Sequence, residues 1–552
     1  QVLRAGIVSA ARPRTLSLRP DGGELAIGDE AGDAHLYASG DGAAESHWRA
    51  HEGPITGSHY HPGGSQLATS GMDGMVRVWQ LPIVAPQTLA SAGQAISTYN
   101  LTYDGARLYV ATSERRVAGF DMATGERTFL TPPQMSPPTA IMPSIDNSFV
   151  AVADAGGGVS IRASADGQLA FRMHAHASAA RGIAFPRGAA PWVSIGDDGV
   201  MRVWEYPTPP RVFTGHEGKV EVVSVAPNGL TVASVAADKT VRLWNLGDGS
   251  PSWTLAHDMP VRSVAWKADS QYLTTVDAAQ RVRVWNLVDG QQVGIVEPTA
   301  VPLIAVAWMP DGTLALGHAD GGVRFWNIND KKEVAQFATG APLVSLAVLD
   351  ATQQLLTAHA DGTLKTWQLA DRKPLATINA GGPFDQLAVT RDGKKAVVAS
   401  RDKSLRVLQL DNGAAGPRVG ELPAAVRGVS WSADGSRFAA TLADGAVRVW
   451  NVMGEATEQF DLGGPAPTGV AFAGDGKSVV VGGEDGGVRV VRLLALRKIA
   501  VSGQPLTSVV LAPDNATAIV GSRDRNVTLW NITTGAAVRT LGGSGDAITA
   551  VE

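Results

Sequence analysis

The chain has 552 residues, and its content of 44% hydrophobic and 18% charged residues is typical of a globular protein with a large core. The net charge of −5 and the absence of any long basic run predict no nucleic-acid partner. Because cysteine is absent, disulfides, thiolate zinc sites and iron–sulfur clusters are excluded, and the lack of a long apolar run predicts no insertion into a membrane.

A short strand-like segment that ends in tryptophan recurs along the chain. Complete copies such as "VRVW" end at Trp79, Trp204, Trp244, Trp285, Trp326, Trp367, Trp450 and Trp530. Substituted copies end at Tyr37, Phe120, Arg162, Leu408 and Val491. All thirteen follow one another at intervals of 39 to 42 residues, so the chain is built from repeats of one structural unit.

Two further features of the repeat predict its secondary structure. In nine copies an aspartate lies six residues before the tryptophan position, at Asp73, Asp198, Asp238, Asp320, Asp361, Asp402, Asp444, Asp485 and Asp524. Upstream of it, turn sequences such as "APNGLTVASV" separate two runs of alternating, β-branched residues. We therefore expect four short antiparallel strands with tight turns in each repeat.

The aspartate, the strand ending in tryptophan and the period together resemble the WD40 β-propeller family. The resemblance implies a hydrogen-bonded tetrad of histidine, serine or threonine, aspartate and tryptophan in each blade, which two repeats match completely: His51, Thr69, Asp73 and Trp79, and His216, Ser234, Asp238 and Trp244. Elsewhere the aspartate is replaced by Ala31, Glu114, Gly156 and Ala279, and we expect those blades to depend more on packing.

The resemblance implies an all-β protein of two tandem seven-bladed WD40-type β-propellers with four-stranded antiparallel blades. We expect the first propeller at residues 1–290, closed by the N-terminal "QVLRAGI" as the outer strand of the blade that carries Trp285. The second, at 291–552, would have six full blades and the start of a seventh. In this interpretation "AITAVE" is the innermost strand of that incomplete last blade, whose remainder lies beyond Glu552 or comes from another chain.

Several groups of ionisable residues raise the question of a metal or catalytic site. Five histidines lie between His35 and His61, and His174 and His176 lie close together. Although histidine is a common metal ligand, structural roles in the blades are the interpretation we favour. The same holds for the acidic pairs Asp29-Glu30, Asp197-Asp198 and Glu484-Asp485, because each lies at the repeat's turn.

Motifs of catalytic phosphate loops and of esterase nucleophiles are absent, so we expect no enzyme, no catalytic residue, no cofactor, no metal and no small-molecule ligand. The absence of cysteine and of an initiator methionine at Gln1 favours a periplasmic or extracellular location over a cytoplasmic one, and the Gly- and Ala-rich composition favours a bacterial protein.

The turns that differ between otherwise similar repeats are the predicted contacts with a partner, since propellers bind through such loops. Arginine and tryptophan are also enriched at interfaces. The candidate protein-binding residues are Trp48, Arg115, Arg116, Asp197, Arg401, Glu484, Arg523 and Arg525. The chain is thus expected to be a non-catalytic scaffold for protein partners within a larger assembly. The alternative is a sensory or docking region of a longer multidomain enzyme or redox protein whose catalytic domain lies outside this chain.

Overall fold

The computed structural model describes residues 11–81, 87–90, 95–186, 191–205, 207, 211–462, 466–542 and 547–548. Within them the regular structure is β-strand, apart from one 3-10 turn at Asp350–Thr352. The fold is therefore all-β, as expected. "QVLRAGI" and most of "AITAVE" lie outside the described residues.

The chain divides into two compact units that are not consecutive in sequence. The first unit combines residues 1–207 with residues 494–552, and the second consists of residues 208–493. The second unit is therefore inserted into the first. This division differs from the expected one, because a boundary between residues 290 and 291 falls inside the second unit.

The first segment of the first unit contributes nineteen strands among its described residues: β1 Pro13–Leu18, β2 Glu24–Asp29, β3 Asp33–Ala38, β4 Ala44–Arg49, β5 Ile55–Tyr60, β6 Gln66–Gly71, β7 Met75–Gln80, β8 Gln87–Ala90, β9 Ile96–Leu101, β10 Arg107–Thr112, β11 Val117–Asp121, β12 Arg127–Leu130, β13 Pro138–Pro143, β14 Phe149–Asp154, β15 Gly158–Ala163, β16 Leu169–His174, β17 Ala180–Ala184, β18 Trp192–Gly196 and β19 Val200–Trp204.

The second unit contains the next strands along the chain: β20 Arg211–Phe213, β21 Val220–Val225, β22 Thr231–Ala236, β23 Thr240–Asn245, β24 Pro251–Ala256, β25 Val261–Trp266, β26 Tyr272–Asp277, β27 Val282–Asn286, β28 Gln292–Val296, β29 Leu303–Trp308, β30 Leu314–His318, β31 Gly322–Asn327, β32 Lys332–Ala338, β33 Leu343–Leu349, β34 Gln354–His359, β35 Thr363–Gln368, β36 Pro374–Asn379, β37 Phe384–Val389, β38 Lys395–Ser400, β39 Ser404–Gln409, β40 Ala415–Val419, β41 Val426–Trp431, β42 Arg437–Leu442, β43 Ala446–Asn451, β44 Ala456–Asp461, β45 Pro467–Phe472, β46 Ser478–Gly483 and β47 Val488–Arg492.

The last segment returns to the first unit with β48 Ala495–Ala500, β49 Leu506–Leu511, β50 Thr517–Ser522, β51 Val527–Asn531 and β52 Ala537–Leu541.

Most sheets are simple antiparallel meanders of four consecutive strands. In the first unit the groups are β1–β4, β5–β8, β9–β12, β13–β16 and β49–β52, and in the second they are β21–β24, β25–β28, β29–β32, β33–β36, β37–β40 and β41–β44. Such meanders follow from short strands joined by tight turns. Four-stranded antiparallel sheets are the element that the repeat predicted.

Two sheets take their fourth strand from a distant part of the sequence. In the first unit β48 pairs with β19 and completes the sheet of β17–β19. In the second unit β20 pairs with β47 and completes the sheet of β45–β47. The insertion is therefore marked in each unit by one outer strand that is remote in sequence from its neighbours.

The sheet that carries Trp285 is complete without a strand from the N-terminus. Its outer strand is β28, which directly follows β27 in the sequence and pairs with it from Val282↔Val296 to Trp285↔Gln292. The expectation that "QVLRAGI" closes this sheet is wrong. The physical reason is that the closing strand of the second unit is β20, which precedes that unit's first complete sheet.

Apolar clusters join each sheet of the second unit to the next. They link β21–β24 to β25–β28 and continue in the same direction to the sheet of β41–β44. Strand β45 packs on β41 and on β21, and Phe213, Val220 and Val480 share one cluster. The series of seven sheets thus returns to its starting point, which leaves each sheet covered on both faces.

The first unit has the same arrangement for six sheets. Apolar clusters join β1–β4 to β5–β8, then to β9–β12 and β13–β16. Strand β13 packs on β17, and a further cluster joins β17–β19 and β48 to the sheet of β49–β52. The second strands are buried almost throughout, because both of their faces contact other sheets; β14 is an example.

Candidate functional site

The predicted tetrad of the second sheet is a continuous chain of hydrogen bonds. His51 Nδ1 lies 2.9 Å from Asp73 Oδ1, and His51 Nε2 lies 2.9 Å from Thr69 Oγ1. The indole N–H of Trp79 donates to the same Thr69 hydroxyl oxygen over 2.9 Å. These hydrogen bonds run from the b–c turn, which joins the second and third strands, to the interior of the sheet.

The direction of the bonds follows from the donors and acceptors present. The carboxylate of Asp73 can only accept, so the neutral imidazole of His51 carries its hydrogen on Nδ1 and donates it to Asp73. Nε2 of His51 therefore accepts the hydroxyl hydrogen of Thr69, whose oxygen accepts the N–H of Trp79. Arg77 binds the other carboxylate oxygen of Asp73 over 2.8 Å. Each member of the tetrad is therefore engaged in structure.

The electrostatics agree with this assignment. Burial lowers the pKa of His51 from its ordinary value, although its bond to Asp73 opposes the shift. Burial alone would raise the pKa of Asp73, but hydrogen bonds from Arg77, His51 and the Met75 N–H outweigh it and lower that pKa to about 2. The pair is thus a neutral imidazole next to a carboxylate at neutral pH.

The second predicted tetrad has the same geometry. His216 Nδ1 lies 2.9 Å from Asp238 Oδ2, and His216 Nε2 lies 2.8 Å from Ser234 Oγ. Trp244 donates to Ser234 Oγ over 2.7 Å. Here Thr240 rather than an arginine binds the aspartate.

A third tetrad was missed by the sequence analysis. His176 lies 3.0 Å from Asp198 and 2.9 Å from Ser194, to which Trp204 donates over 3.0 Å. The signal was present, because the histidine precedes the aspartate by 22 residues in all three tetrads. The two residues of the acidic pair Asp197-Asp198 therefore have different roles. Asp198 belongs to the tetrad, and Asp197 binds Arg181.

Where the turn aspartate is missing, an aspartate two residues earlier often replaces it. Asp29 Oδ1 accepts the backbone N–H groups of Ala31, Gly32 and Asp33 at 2.9 to 3.0 Å. Asp154 and Asp277 cap their turns in the same way. We expected these blades to depend more on packing, but the turns of these three sheets keep a carboxylate acceptor.

Of the other histidines of the N-terminal group, His35 and His47 stack on each other across β3 and β4, while His59 and His61 lie elsewhere. His35 binds Asp29 over 3.0 Å, His61 Nδ1 accepts the Gly63 N–H, and His59 packs edge-on against Tyr99. Burial lowers the pKa of His59 to about 4. Among the residues that the structure describes, no three histidine, aspartate or glutamate side chains form a group suited to a metal ion.

The predicted partner-binding residues fall on both units. Trp48 packs edge-on against Trp79 and belongs to the core between two sheets. The others lie at b–c turns: Arg115, Arg116, Asp197, Arg523 and Arg525 in the first unit, and Arg401 and Glu484 in the second. They therefore mark one end of the sheets in each unit.

Many of these turn residues already have partners. Asp197 forms a two-bond ion pair with Arg181, Arg401 binds Asp385 over 2.9 Å, and Glu484 binds Arg427 over 2.9 Å. Arg115 and Arg116 donate to backbone carbonyl groups. The side chains of Arg523 and Arg525 are exposed and have no ion pair within the part of the chain that the structure describes.

Each unit also encloses a cavity where its inner strands end. The cavity of the first unit measures about 500 Å³ and is lined by residues of six sheets, among them His59, Tyr60 and Phe185. That of the second unit measures about 850 Å³ and is lined by Trp266, Trp308 and other residues. Both openings lie at the opposite end of the sheets from the b–c turns.

In the described part of the chain, no helix has the length and apolar character needed to cross a bilayer.

Comparison with known proteins identifies WD40 repeats in this chain. Five segments match the family model of the WD domain, G-beta repeat: residues 43–80, 207–245, 249–286, 416–451 and 497–531. The match at 207–245 begins with the segment of β20, and the match at 497–531 begins within β48. The family's sequence unit thus starts with the outer strand of one sheet and continues into the next.

The chain is also similar to parts of curated proteins. It is 30% identical over 198 residues to an uncharacterized WD repeat-containing protein of Synechocystis. The aligned region covers 35% of this chain and 44% of that protein. It is 43% identical over 58 residues to the ribosome biogenesis protein Erb1 of Chaetomium globosum and of Aspergillus fumigatus. Each of these aligned regions covers 10% of this chain and 7% of the relative. The chain therefore spans less than half the length of these relatives.

Proposed function

We propose that this protein is a non-catalytic scaffold of two seven-bladed β-propellers, the second inserted into the first, which binds protein partners through its b–c turns. WD40 repeats in general mediate protein–protein interaction, and they are typically non-catalytic. The closed series of seven sheets in the second unit, and the six sheets of the first, support the proposed architecture.

The binding role is supported by a difference between the inner and the outer residues of the b–c turns. At the inner side of these turns, histidine, aspartate and tryptophan are bound in tetrads that maintain the sheet. At the outer side, charged residues differ from one sheet to the next, and Arg523 and Arg525 are exposed without an ion pair in the described residues. A rigid frame with variable, charged loops is suited to the recognition of a protein surface.

The test begins with the full chain cross-linked in the cells that produce it and with identification of the bound proteins by mass spectrometry. Calorimetry then measures the affinity of the most abundant purified partner for the turn variants Arg115→Glu, Arg401→Glu and Arg523→Glu/Arg525→Glu. We expect at least one variant to weaken binding by about tenfold or more, which is typical of a residue at the centre of an interface.

Lys373→Glu is the matched control. Lys373 is exposed, pairs with Asp371 over 2.9 Å and lies at a turn between the third and fourth strands, at the other end of its sheet. We expect its substitution to leave the affinity within about twofold, as for a peripheral charge. If no turn variant weakens binding more than Lys373→Glu does, the turns are not the binding surface and the proposal fails.

A further inference from the structure

One lysine side chain of the second unit lies in a small site made of two aromatic rings and a carboxylate. The ammonium nitrogen of Lys267 lies 4.7 Å from the centre of the Tyr272 ring and 5.7 Å from the centre of the Trp308 ring. It also binds Oδ2 of Asp269 over 2.9 Å. The centres of the two rings are 6.1 Å apart and their planes are inclined at 47°, so the rings form two walls around one cation.

The local sequence explains how these groups come together. Lys267 directly follows β25 and Tyr272 begins β26, and the Lys267 N–H donates to the Tyr272 carbonyl oxygen over 3.0 Å, which closes the turn between the two strands. Trp308 is the last residue of β29, the first strand of the next sheet. The site is therefore built between two neighbouring sheets, and every residue from 211 to 462 is described.

The preceding pair of sheets has no such site at the equivalent place. Trp266 ends β25 as Trp308 ends β29, but its indole N–H donates to Ser224 Oγ over 3.1 Å, and Thr231 takes the place of the tyrosine. The residue equivalent to Ser224 is Ala265, and the indole N–H of Trp308 has no hydrogen-bond partner among the described residues. The ring of Trp308 is therefore held by the contacts of the site and not by a hydrogen bond of its own.

The site opens into the 850 Å³ cavity of the second unit. Lys267, Asp269 and Trp308 line this cavity, whose volume is typical of a ligand site. The cavity exists because the fifth residue of the first strand is alanine or serine in each of the seven sheets of this unit. The side chains of Lys267 and Asp269 are 29% and 38% exposed. A ligand in the cavity therefore reaches the two rings once the Lys267 side chain turns into solvent.

A ligand displaces Lys267 only if the rings bind its cation more strongly than they bind the lysine ammonium group. Lys267 is tethered beside the site, which gives it a high effective concentration. Its primary ammonium group is compact and strongly hydrated, so moving it against the rings removes favourable contacts with water. A quaternary ammonium group is larger and more weakly hydrated, and aromatic cages recognise it for this reason. The quaternary ammonium group is therefore the cation that suits this site.

The charges around the site also favour a positive group. Displacement of Lys267 leaves the carboxylate of Asp269 without its cation, and a positive group of the ligand replaces it. Asp350 lines the same cavity, and its side chain has no hydrogen bond or ion pair within the described residues. Arg391, the other basic residue of the cavity wall, belongs to the sheet of β37–β40, which does not adjoin either sheet of the site.

We propose that Tyr272, Trp308 and Asp269 form a binding site for a quaternary ammonium group, and that Lys267 closes this site in the absence of the ligand. The group belongs either to a free trimethylammonium compound or to a trimethylated lysine of another protein. The site lies at the opposite end of the sheets from the b–c turns. It therefore goes beyond the proposed scaffold role and does not depend on it.

Choline and 3,3-dimethylbutan-1-ol are the matched probes, because they have the same shape and only choline is positively charged. Titration of the full chain, followed by saturation-transfer NMR of the methyl signals, measures the affinity for each probe. We expect choline to bind at least about tenfold more tightly than the neutral alcohol. Lys267→Ala removes the competing ammonium group and should tighten choline binding by about threefold or more.

The ring variants test the walls of the site. Tyr272→Leu and Trp308→Leu should each weaken choline binding by about fivefold or more, whereas Tyr272→Phe keeps the ring and should leave it within about twofold. The matched control is Lys394→Ala, since Lys394 is exposed in the turn between β37 and β38, and it should leave choline binding unchanged. Lys267→Ala alters only a half-exposed turn residue, so it should keep the circular dichroism spectrum of the unmodified chain even if a ring variant does not fold.

A short peptide with one trimethyl-lysine distinguishes the two sources of the group. Binding of this peptide about tenfold more tightly than choline would assign the site to a modified protein, and equal or weaker binding would assign it to a free compound. Equal binding of choline and the neutral alcohol would overturn the inference. So would choline binding that neither Lys267→Ala nor Trp308→Leu changes, because the cation would then bind elsewhere. Equal binding of the trimethylated peptide and its unmethylated form would exclude selection of a quaternary ammonium group.

Discussion

Met201 of β19 pairs with Ile499 of β48 in one sheet, although the whole second unit lies between them in the sequence. Both side chains are buried in the cluster that joins this sheet to β49–β52. This pairing shows that the sheet of β17–β19 receives its outer strand from a segment that follows the second unit in the sequence.

This connectivity predicts that the second unit folds by itself. Residues 208–493 contain all seven sheets of the closed series, including β20, so a polypeptide of these residues should unfold in one cooperative calorimetric transition. The matched control is residues 291–552, the domain expected from sequence. It lacks the eight strands β20–β27 of the second unit and should show no such transition. Cooperative unfolding of the control alone would contradict the assignment of units.

The His176 tetrad should contribute strongly to stability. In His176→Ala the hydroxyl of Ser194 and one oxygen of Asp198 lose a buried partner, so the free energy of unfolding should fall by about 2 to 4 kcal/mol. Urea unfolding followed by tryptophan fluorescence measures the change. His47→Ala removes an exposed imidazole and should change stability by less than about 0.5 kcal/mol. Equal effects of the two substitutions would contradict a structural role for the tetrad.

Stability should decline in mildly acidic solution because of buried histidines. Burial lowers the pKa of His59 and of His257 to about 4, and it also lowers the pKa of His51. The unfolded chain, with an ordinary histidine pKa near 6.5, binds protons more readily than the folded one. The contribution of these neutral histidines to the free energy of unfolding is therefore complete above about pH 6.5 and is lost progressively as the pH falls toward 4.

Urea unfolding at pH 7.5, 5.5 and 4.5 measures this dependence. His257→Asn removes one of the titrating groups and should make the decline less steep, although it weakens the bond to Thr275. An unfolding free energy that stays constant between pH 7.5 and 4.5 would show that these imidazoles are not held neutral by burial.

The substitute turn aspartate should matter as much as the regular one. Asp29 is 1% exposed and accepts three backbone N–H groups, so Asp29→Ala should lower the free energy of unfolding by about 2 kcal/mol or more. Asp33→Ala is the control four residues away. Among the described residues the Asp33 side chain pairs only with Arg49, over 3.5 Å and in an exposed position, and its loss should cost less than about 0.5 kcal/mol. A larger effect of Asp33→Ala would refute the capping role.

Local features of this protein were determined by the sequence itself. The tryptophan positions, the turn aspartates and the alternating apolar residues predicted four-stranded antiparallel sheets, because each depends on residues only a few positions apart. The members of the tetrads of His51 and His216 were implied by the resemblance to the WD40 family, residue by residue. The spacing of His176 carried the same information.

The tertiary structure alone decided which sheet each outer strand joins. β20 follows β19 after six residues, as elsewhere in the repeat, and β48 follows β47 after only two, yet the repeat period continues through both crossings between the units. Pairing energy depends on the face that a strand covers and not on its distance in sequence, and Phe213 of β20 is buried against Trp244 while Ile499 of β48 is buried beside Leu506.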